Sequence, residues 1–254
     1  MILSCPFFAI LGMKLLRFNP YYYNLLTTES FRLSKSCIRF QSDVEAIPNT
    51  AFKFLSIQAS NSIETYKLEQ VLQRCLKIYE KFATEEEESF FDKEVSLSFR
   101  RKKYEYGHWD GAIEGFREVE KTIWSKECQL ILDRVANKVF GDDIDSMQPF
   151  THVLDLAKNG YIKPHTDSVK FCGSKIAGLC LLSSAVMRFV SSSNSKLSVD
   201  VLMPRYCLYV MSNDLRYDFT HEILSDEKSF WNGQHIPRDR RLAILRRSKP
   251  VSNL

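Results

Sequence analysis

Three residues of this chain have the types and the order needed to hold a redox metal. His165 and Asp167 are separated by one residue, in Tyr161-Ile-Lys-Pro-His165-Thr166-Asp167. On an extended segment such positions project to the same side. His221 follows in Asp218-Phe-Thr-His221-Glu-Ile, inside a run that reads as a strand. Two imidazoles and a carboxylate make the set that holds Fe(II) on one side and leaves the opposite positions open. The chain has only 5 histidines, so few such sets are available. A His-x-Asp tripeptide is weak by itself, because most are turns or surface polar pairs.

A second pattern lies in Arg241-Leu-Ala-Ile-Leu-Arg-Arg247. As a strand, it places Arg241, Ala243, Leu245 and Arg247 on one face and Leu242 and Ile244 on the other. An inward-facing charge is costly unless it meets an anion. A guanidinium fork grips a carboxylate with two parallel hydrogen bonds, where Lys acts as a point charge. The segment reads either as a carboxylate clamp or as an edge strand whose basic residues are solvated.

The elements that position these residues fall into two kinds. Before Pro149 the chain is helical in pattern. Leu68, Val71, Leu72, Cys75, Leu76 and Tyr79 share a helical spacing, although residues 76–82 also fit an extended segment. Thr84 with Glu87 forms a capping box that opens a helix over about 85–94. A further helix is expected over 121–140, stopped by Gly141. After Pro149 come short apolar runs at 150–156, 176–182, 186–190, 197–203, 207–211, 216–224 and 242–245, with Asn159-Gly160 read as one of the breaks. The fold class is therefore α+β, mainly β: a sandwich or barrel behind N-terminal helices.

Composition narrows the function classes. With 44% hydrophobic residues, 9 Gly and 8 Pro in 254, the chain is neither low-complexity nor collagen-like. No run reaches the roughly 20 apolar residues of a membrane span. The net charge of +4 is carried by residues 1–41, which hold Lys14, Arg17, Arg32, Lys35 and Arg39 against Glu29 alone. Without them 30 bases face 30 acids (35 less 5, 31 less 1), so nothing global demands a polyanion. The 7 cysteines are irregularly spaced without a CxxC pair, unlike a zinc ribbon or a disulfide framework. Cys172, Cys180 and Cys207 are expected as small buried hydrophobes. Residues 1–41 read as a mitochondrial transit peptide, with a secretory signal as the rival, and 42–61 as a weakly structured lead-in to a single domain over 62–254.

Taken together, His165-x-Asp167, a distal His221 and Arg241-x5-Arg247, in that order on strands, resemble the AlkB family of Fe(II)- and 2-oxoglutarate-dependent dioxygenases. The likeness is strongest to a mitochondrial branch of that family and covers roughly residues 76–250, including HVLDLAKNGYIKPHTDSVKF, RYDFTHEIL and IPRDRRLAILRRS. It implies a double-stranded β-helix (jelly-roll) core with flanking N-terminal helices. It also implies His165, Asp167 and His221 as iron ligands, and Arg241 and Arg247 as the grip on the co-substrate carboxylates. Tyr209 is implied as a donor to 2-oxoglutarate, and His152 stands where many members place an Asn for the same purpose. The expected cofactors are Fe(II), 2-oxoglutarate and O2, and the expected location is the mitochondrial matrix.

The implied reaction oxidises a C–H or N-methyl group of a protein or RNA substrate, releasing succinate and CO2. Val169 stands two residues after the ligand Asp, where the bacterial repair enzyme is acidic and contacts the alkylated base, so weak or no binding of duplex DNA is expected. The stretch Tyr104-Glu-Tyr106-Gly-His108-Trp109-Asp110 reads either as substrate wall or as core, and Arg100–Lys103 as a phosphate contact or a solvated turn. The rival to an enzyme is an AlkB-like scaffold for a partner in mitochondrial metabolism or regulated necrosis, with little catalysis.

Overall fold

The computed structural model describes residues 52–108 and 111–250. The transit segment 1–41, residues 42–51 of the lead-in, Trp109, Asp110 and residues 251–254 lie outside them. In chain order the elements are β1 (Leu55–Gln58), α1 (Ser62–Cys75), β2 (Leu76–Tyr79), α2 (Glu85–Ser98), β3 (Glu105–Tyr106), β4 (Ile113–Lys121) and α3 (Lys126–Val139). There follow β5 (Thr151–His165), β6 (Lys175–Leu181), β7 (Ala185–Ser191), β8 (Ser198–Met203), β9 (Leu208–Ser212), α4 (Asn213–Tyr217) and β10 (Phe219–Ile223). The last are β11 (Phe230–Trp231), β12 (Gln234–His235) and β13 (Arg241–Arg247). No helix of the described residues is long and apolar enough to cross a membrane.

The topology follows from β5. Its first half pairs with β13 (Leu242 opposite Asp155), and its second half pairs with β10 (His221 opposite His165). One layer is thus β5-β13-β6-β9-β2 and the other β5-β10-β7-β8-β1. Both turn the same side inward. Leu154, Tyr209, Met211, Ala243 and Leu245 from the first layer share a core with Met187, Phe189, Val199 and Ile223 from the second. With β5 counted in each and the edge strands β1 and β2 left aside, four strands face four, all antiparallel, and this is the jelly-roll pattern.

Period-2 alternation decides what each layer does. The outward residues of the first layer (Val153, Ala177, Leu179, Leu208, Leu242, Ile244) pack on Phe91, Val95 and Phe99 of the α2 region and on Ile131, Leu132 and Val135 of α3. Burying each such side chain is worth roughly 1.5–3 kcal/mol. The expected faces of the Arg241–Arg247 strand are realised, but it lies between β5 and β6, so its edge-strand alternative is excluded.

Four sequence expectations change. Residues 52–58, assigned to the lead-in, form a turn and β1, with Phe54 buried in the core. The helix expected from 121 begins at Lys126 under the Ser125 cap, because 113–121 is strand β4, hydrogen-bonded along β5. Asn159-Gly160 does not break the chain. β5 runs through it, and Gly160 is needed because a Cβ there would meet the Gly115 carbonyl oxygen at 2.5 Å, where β4 bulges at Gly115 with φ +65. The run 216–224 divides into the end of α4 and β10. The capping box at Thr84 and Glu87 forms as expected, and its helix continues to Ser98.

The helix-covered side holds a buried charge cluster. Asp155, 0% exposed, accepts from Arg117 Nη2 at 2.5 Å, from Arg240 Nε at 3.0 Å and from the Tyr104 hydroxyl at 3.2 Å. Arg117 also stacks on Phe99 and Tyr104. Tyr104 therefore belongs to the packing. Asp155→Ala leaves two partly buried guanidinium groups without their shared anion, and the expected cost is on the order of 3–5 kcal/mol. Chemical denaturation should show a lower midpoint; a loss below about 1 kcal/mol, that of a surface pair, would refute the role given to Asp155.

Candidate metal and co-substrate site

Between the two layers lies a cavity of about 1390 Å³, lined by His152, His165, Asp167, Tyr209, His221, Arg241 and Arg247 among others. Every site residue expected from the sequence reaches it. His165 ends β5 directly opposite His221 on β10, and their ring centroids are 4.3 Å apart. Asp167 is not on the strand. It follows in the irregular segment after His165, with Oδ1 3.8 Å from His165 Nε2 and Oδ2 3.9 Å from His221 Nε2. Ligand-capable atoms of the three residues all lie within 4.8 Å of one another, close enough for a single ion.

The protonation states suit a cation. His165 Nδ1 lies 3.0 Å from the Lys163 carbonyl oxygen, so Nδ1 carries the donated proton and Nε2 keeps its lone pair. Burial pulls the His221 imidazole down to about 4, which keeps it neutral near pH 7. Burial works against charge on Asp167, but the neighbouring His165 and the Arg247 guanidinium prevail and hold its carboxyl well below the usual range. Two imidazoles and one anionic oxygen face the same point, the donor set suited to Fe(II).

Deeper in the cavity the charge is unmatched. Arg241 is 2% exposed, its Nε has no hydrogen-bond partner, and Nη2 reaches only the Cys180 sulfur at 3.4 Å. Among the described residues no carboxylate pairs with it. Arg216 and Arg238 are also buried without an acid, but each donates to a carbonyl oxygen, of Cys172 and Gly160 respectively, and neither lines the cavity. An isolated buried cation is expensive, so Arg241 is fitted to an anionic ligand. Tyr209 faces the same space. Burial pushes its phenol far up, so it stays a donor, and it fits only because residue 178 is Gly: a Cβ there would lie 2.7 Å from the Tyr209 hydroxyl. Arg247 sits nearer the His-Asp-His group, with Nη2 3.9 Å from Asp167 Oδ1.

His152 differs from its expected direct role. Its Nδ1 is 2.7 Å from Arg247 Nη1 and its Nε2 is 2.9 Å from Glu118 Oε2, so both ring nitrogens are engaged within the protein. Sequence reasoning missed Glu118 and Gly178. The available signal for Glu118 was the alternation of Phe116, Glu118 and Glu120, which puts all three on one face of an extended segment. Cys172, Cys180 and Cys207 are buried and free, as expected. Val169 and Phe171 stand exposed beyond Asp167 (61% and 65%), and Phe171 lines the cavity.

No protein-family model matches the chain. It is 49% identical over 169 residues to the mouse protein named alpha-ketoglutarate-dependent dioxygenase alkB homolog 7, mitochondrial, a match spanning 66% of this chain and 76% of that one. The Bos taurus protein of the same name is 47% identical over the same shares. Among solved structures, OsALKBH1 superposes with a TM-score of 0.47 at 12% identity, over 68% of this chain and 97% of that one. A Pseudomonas putida prolyl-4-hydroxylase gives 0.48 at 12% identity, over 74% and 98%. The mitochondrial naming of both curated relatives supports a mitochondrial location for this chain. On the strength of these two relatives, the chain belongs to the AlkB family of alpha-ketoglutarate-dependent dioxygenases, in its mitochondrial alkB homolog 7 group.

Proposed function

We propose that this chain is a mitochondrial matrix dioxygenase in which His165, Asp167 and His221 hold Fe(II) and Arg241, Arg247 and Tyr209 hold 2-oxoglutarate (alpha-ketoglutarate). The observation that carries the reading is the joint presence, in one cavity, of a His-Asp-His group and a buried guanidinium that no carboxylate of the described residues pairs with. A scaffold with little catalysis needs neither, and a metal-binding jelly roll without 2-oxoglutarate leaves Arg241 unexplained.

The iron and 2-oxoglutarate, when bound, supply oxygen activation, and the net reaction converts R–H, O2 and 2-oxoglutarate into R–OH, succinate and CO2. The protein's own residues bind and orient. Arg241 and the Tyr209 hydroxyl would hold one carboxylate of 2-oxoglutarate, and Arg247, beside Asp167, would hold the other. The apolar wall of Leu154, Met187, Ala243 and Leu245 excludes water between them. Hydroxylation of an N-methyl group goes on to release formaldehyde, while a protein carbon stops at the alcohol.

For the substrate, a protein or RNA is favoured over duplex DNA. The chain beyond residue 41 carries no net charge, whereas duplex binding rests on phosphate neutralisation, with a salt slope of about 0.9 per phosphate. The testing experiment measures succinate release with Fe(II) and 2-oxoglutarate against methylated RNAs, mitochondrial protein and alkylated duplex DNA. Turnover should require both cofactors, be lost in His165→Ala and His221→Ala, and rise with RNA or protein. Full turnover in either variant would remove the metal assignment, and steep, salt-sensitive stimulation by duplex DNA would reverse the substrate ranking.

Arg247→Lys keeps the charge but loses the fork. The apparent affinity for 2-oxoglutarate should fall while iron still binds, and an unchanged Michaelis constant would remove Arg247 from the site. Residues 1–41 are proposed as the transit peptide. A chain lacking them should keep its activity in vitro but stay in the cytosol, and matrix import of that chain would contradict the proposal.

A further inference from the structure

Glu118 stands on β4, outside the two layers, with its carboxylate between two imidazoles. Oε1 lies 3.2 Å from His108 Nε2 and Oε2 lies 2.9 Å from His152 Nε2. The other nitrogen of His152, Nδ1, lies 2.7 Å from Arg247 Nη1. A guanidinium has donors only, and a carboxylate accepts only. His152 can satisfy both contacts in a single state, neutral, with the proton on Nε2 donated to Glu118 and the Nδ1 lone pair accepting from Arg247. The opposite tautomer sets N–H against N–H at one end and a lone pair against a carboxylate at the other. A doubly protonated ring loses its contact with Arg247.

We infer that Glu118 is a positioning residue for co-substrate binding: by fixing the His152 tautomer it aims the Arg247 guanidinium at a carboxylate of 2-oxoglutarate. The inference rests on the reading of Arg247 as a carboxylate clamp. Two features keep Glu118 in that role. Its hydrogen bond from His152 outweighs burial and holds its carboxyl near 2, so it remains an anionic acceptor at any working pH. Its backbone is pinned as well, since Lys102 Nζ donates to the Glu118 carbonyl oxygen at 2.9 Å, and Glu118 pairs in register with Leu154 of β5. An orienting partner of this kind commonly changes affinity or activity by roughly 10–100-fold when removed.

The test compares full-length wild type with Glu118→Ala, Glu118→Gln and Arg247→Ala in 2-oxoglutarate-dependent succinate release. It also reads the His152 tautomer from 15N shifts of histidine-labelled protein, assigned by the loss of its signals in His152→Asn. Wild-type His152 should carry its proton on Nε2. Glu118→Ala should raise the Michaelis constant for 2-oxoglutarate about tenfold with little change in kcat. Glu118→Gln, whose amide oxygen still accepts from Nε2–H, should restore most of the affinity. A merely structural Glu118 would lower stability without this split and without rescue by Gln. An unchanged Michaelis constant in Glu118→Ala, with a raised one in Arg247→Ala, overturns the inference alone. An unchanged constant in Arg247→Ala overturns the reading beneath it. If Glu118→Ala does not fold, the wild-type spectrum still decides, because a proton on His152 Nδ1 overturns the inference.

Discussion

A strand that belongs to two layers must satisfy both, and β5 does so over its 15 residues. Its first half brings His152 alongside β13, which carries both arginines; its second half brings His165 against His221. The metal-facing and carboxylate-facing parts of the cavity are therefore fixed by one covalent backbone and two hydrogen-bonded ladders. Sliding either ladder by one residue would turn every inward side chain outward. The close approach of Gly115 to Gly160 lets β4 follow β5 past the bulge in their register, so this third partner adds to the same rigidity.

The two faces of the first layer treat charge in opposite ways. Under the helices, Asp155 is shared by Arg117 and Arg240, and the buried Glu88 accepts from Arg205 and from the Leu182 amide. Those groups are matched within the protein and hold α2 and the Arg240 loop on the sheet. On the cavity face Arg241 meets the Cys180 sulfur, whose acidity it helps to raise, and among the described residues no carboxylate. A fold gains nothing from stranding a guanidinium in this way, and what sets Arg241 apart from the buried Arg216 and Arg238 is that its charge borders a cavity, where an anion can reach it.

Much of this was legible in the sequence. The apolar runs after Pro149 gave strands, and alternation in 241–247 gave the correct inward face, because both depend only on period 2. The His-Asp-His set and the paired arginines were legible as residue types in order. Three features were not. β4 carries so many charges (Glu114, Arg117, Glu118, Glu120, Lys121) that no apolar alternation shows: Glu118 and Glu120 line the cavity, while Arg117 meets Asp155 under the helices and Lys121 pairs with Glu94. Asn159-Gly160 has the composition of a turn, and only the backbone of a partner strand shows that Gly is there for closeness. The engagement of His152 depends on Glu118, distant in sequence, and no local spacing encodes that pair.

The division between what was legible and what was not follows the division of labour. The groups assigned to metal and co-substrate sit on or directly after strands of the two layers, where register leaves little freedom. The remaining wall comes from additions to that core: β4 with Glu118 and Glu120, the loop that carries His108, and the segment after Asp167 with its exposed Val169 and Phe171. These additions can change in length and charge without disturbing the ladders that align His165 with His221, because none of them contributes a strand between β5 and β10. Substrate choice can therefore vary on a constant oxidising site, provided that β4 keeps an acceptor where it meets His152.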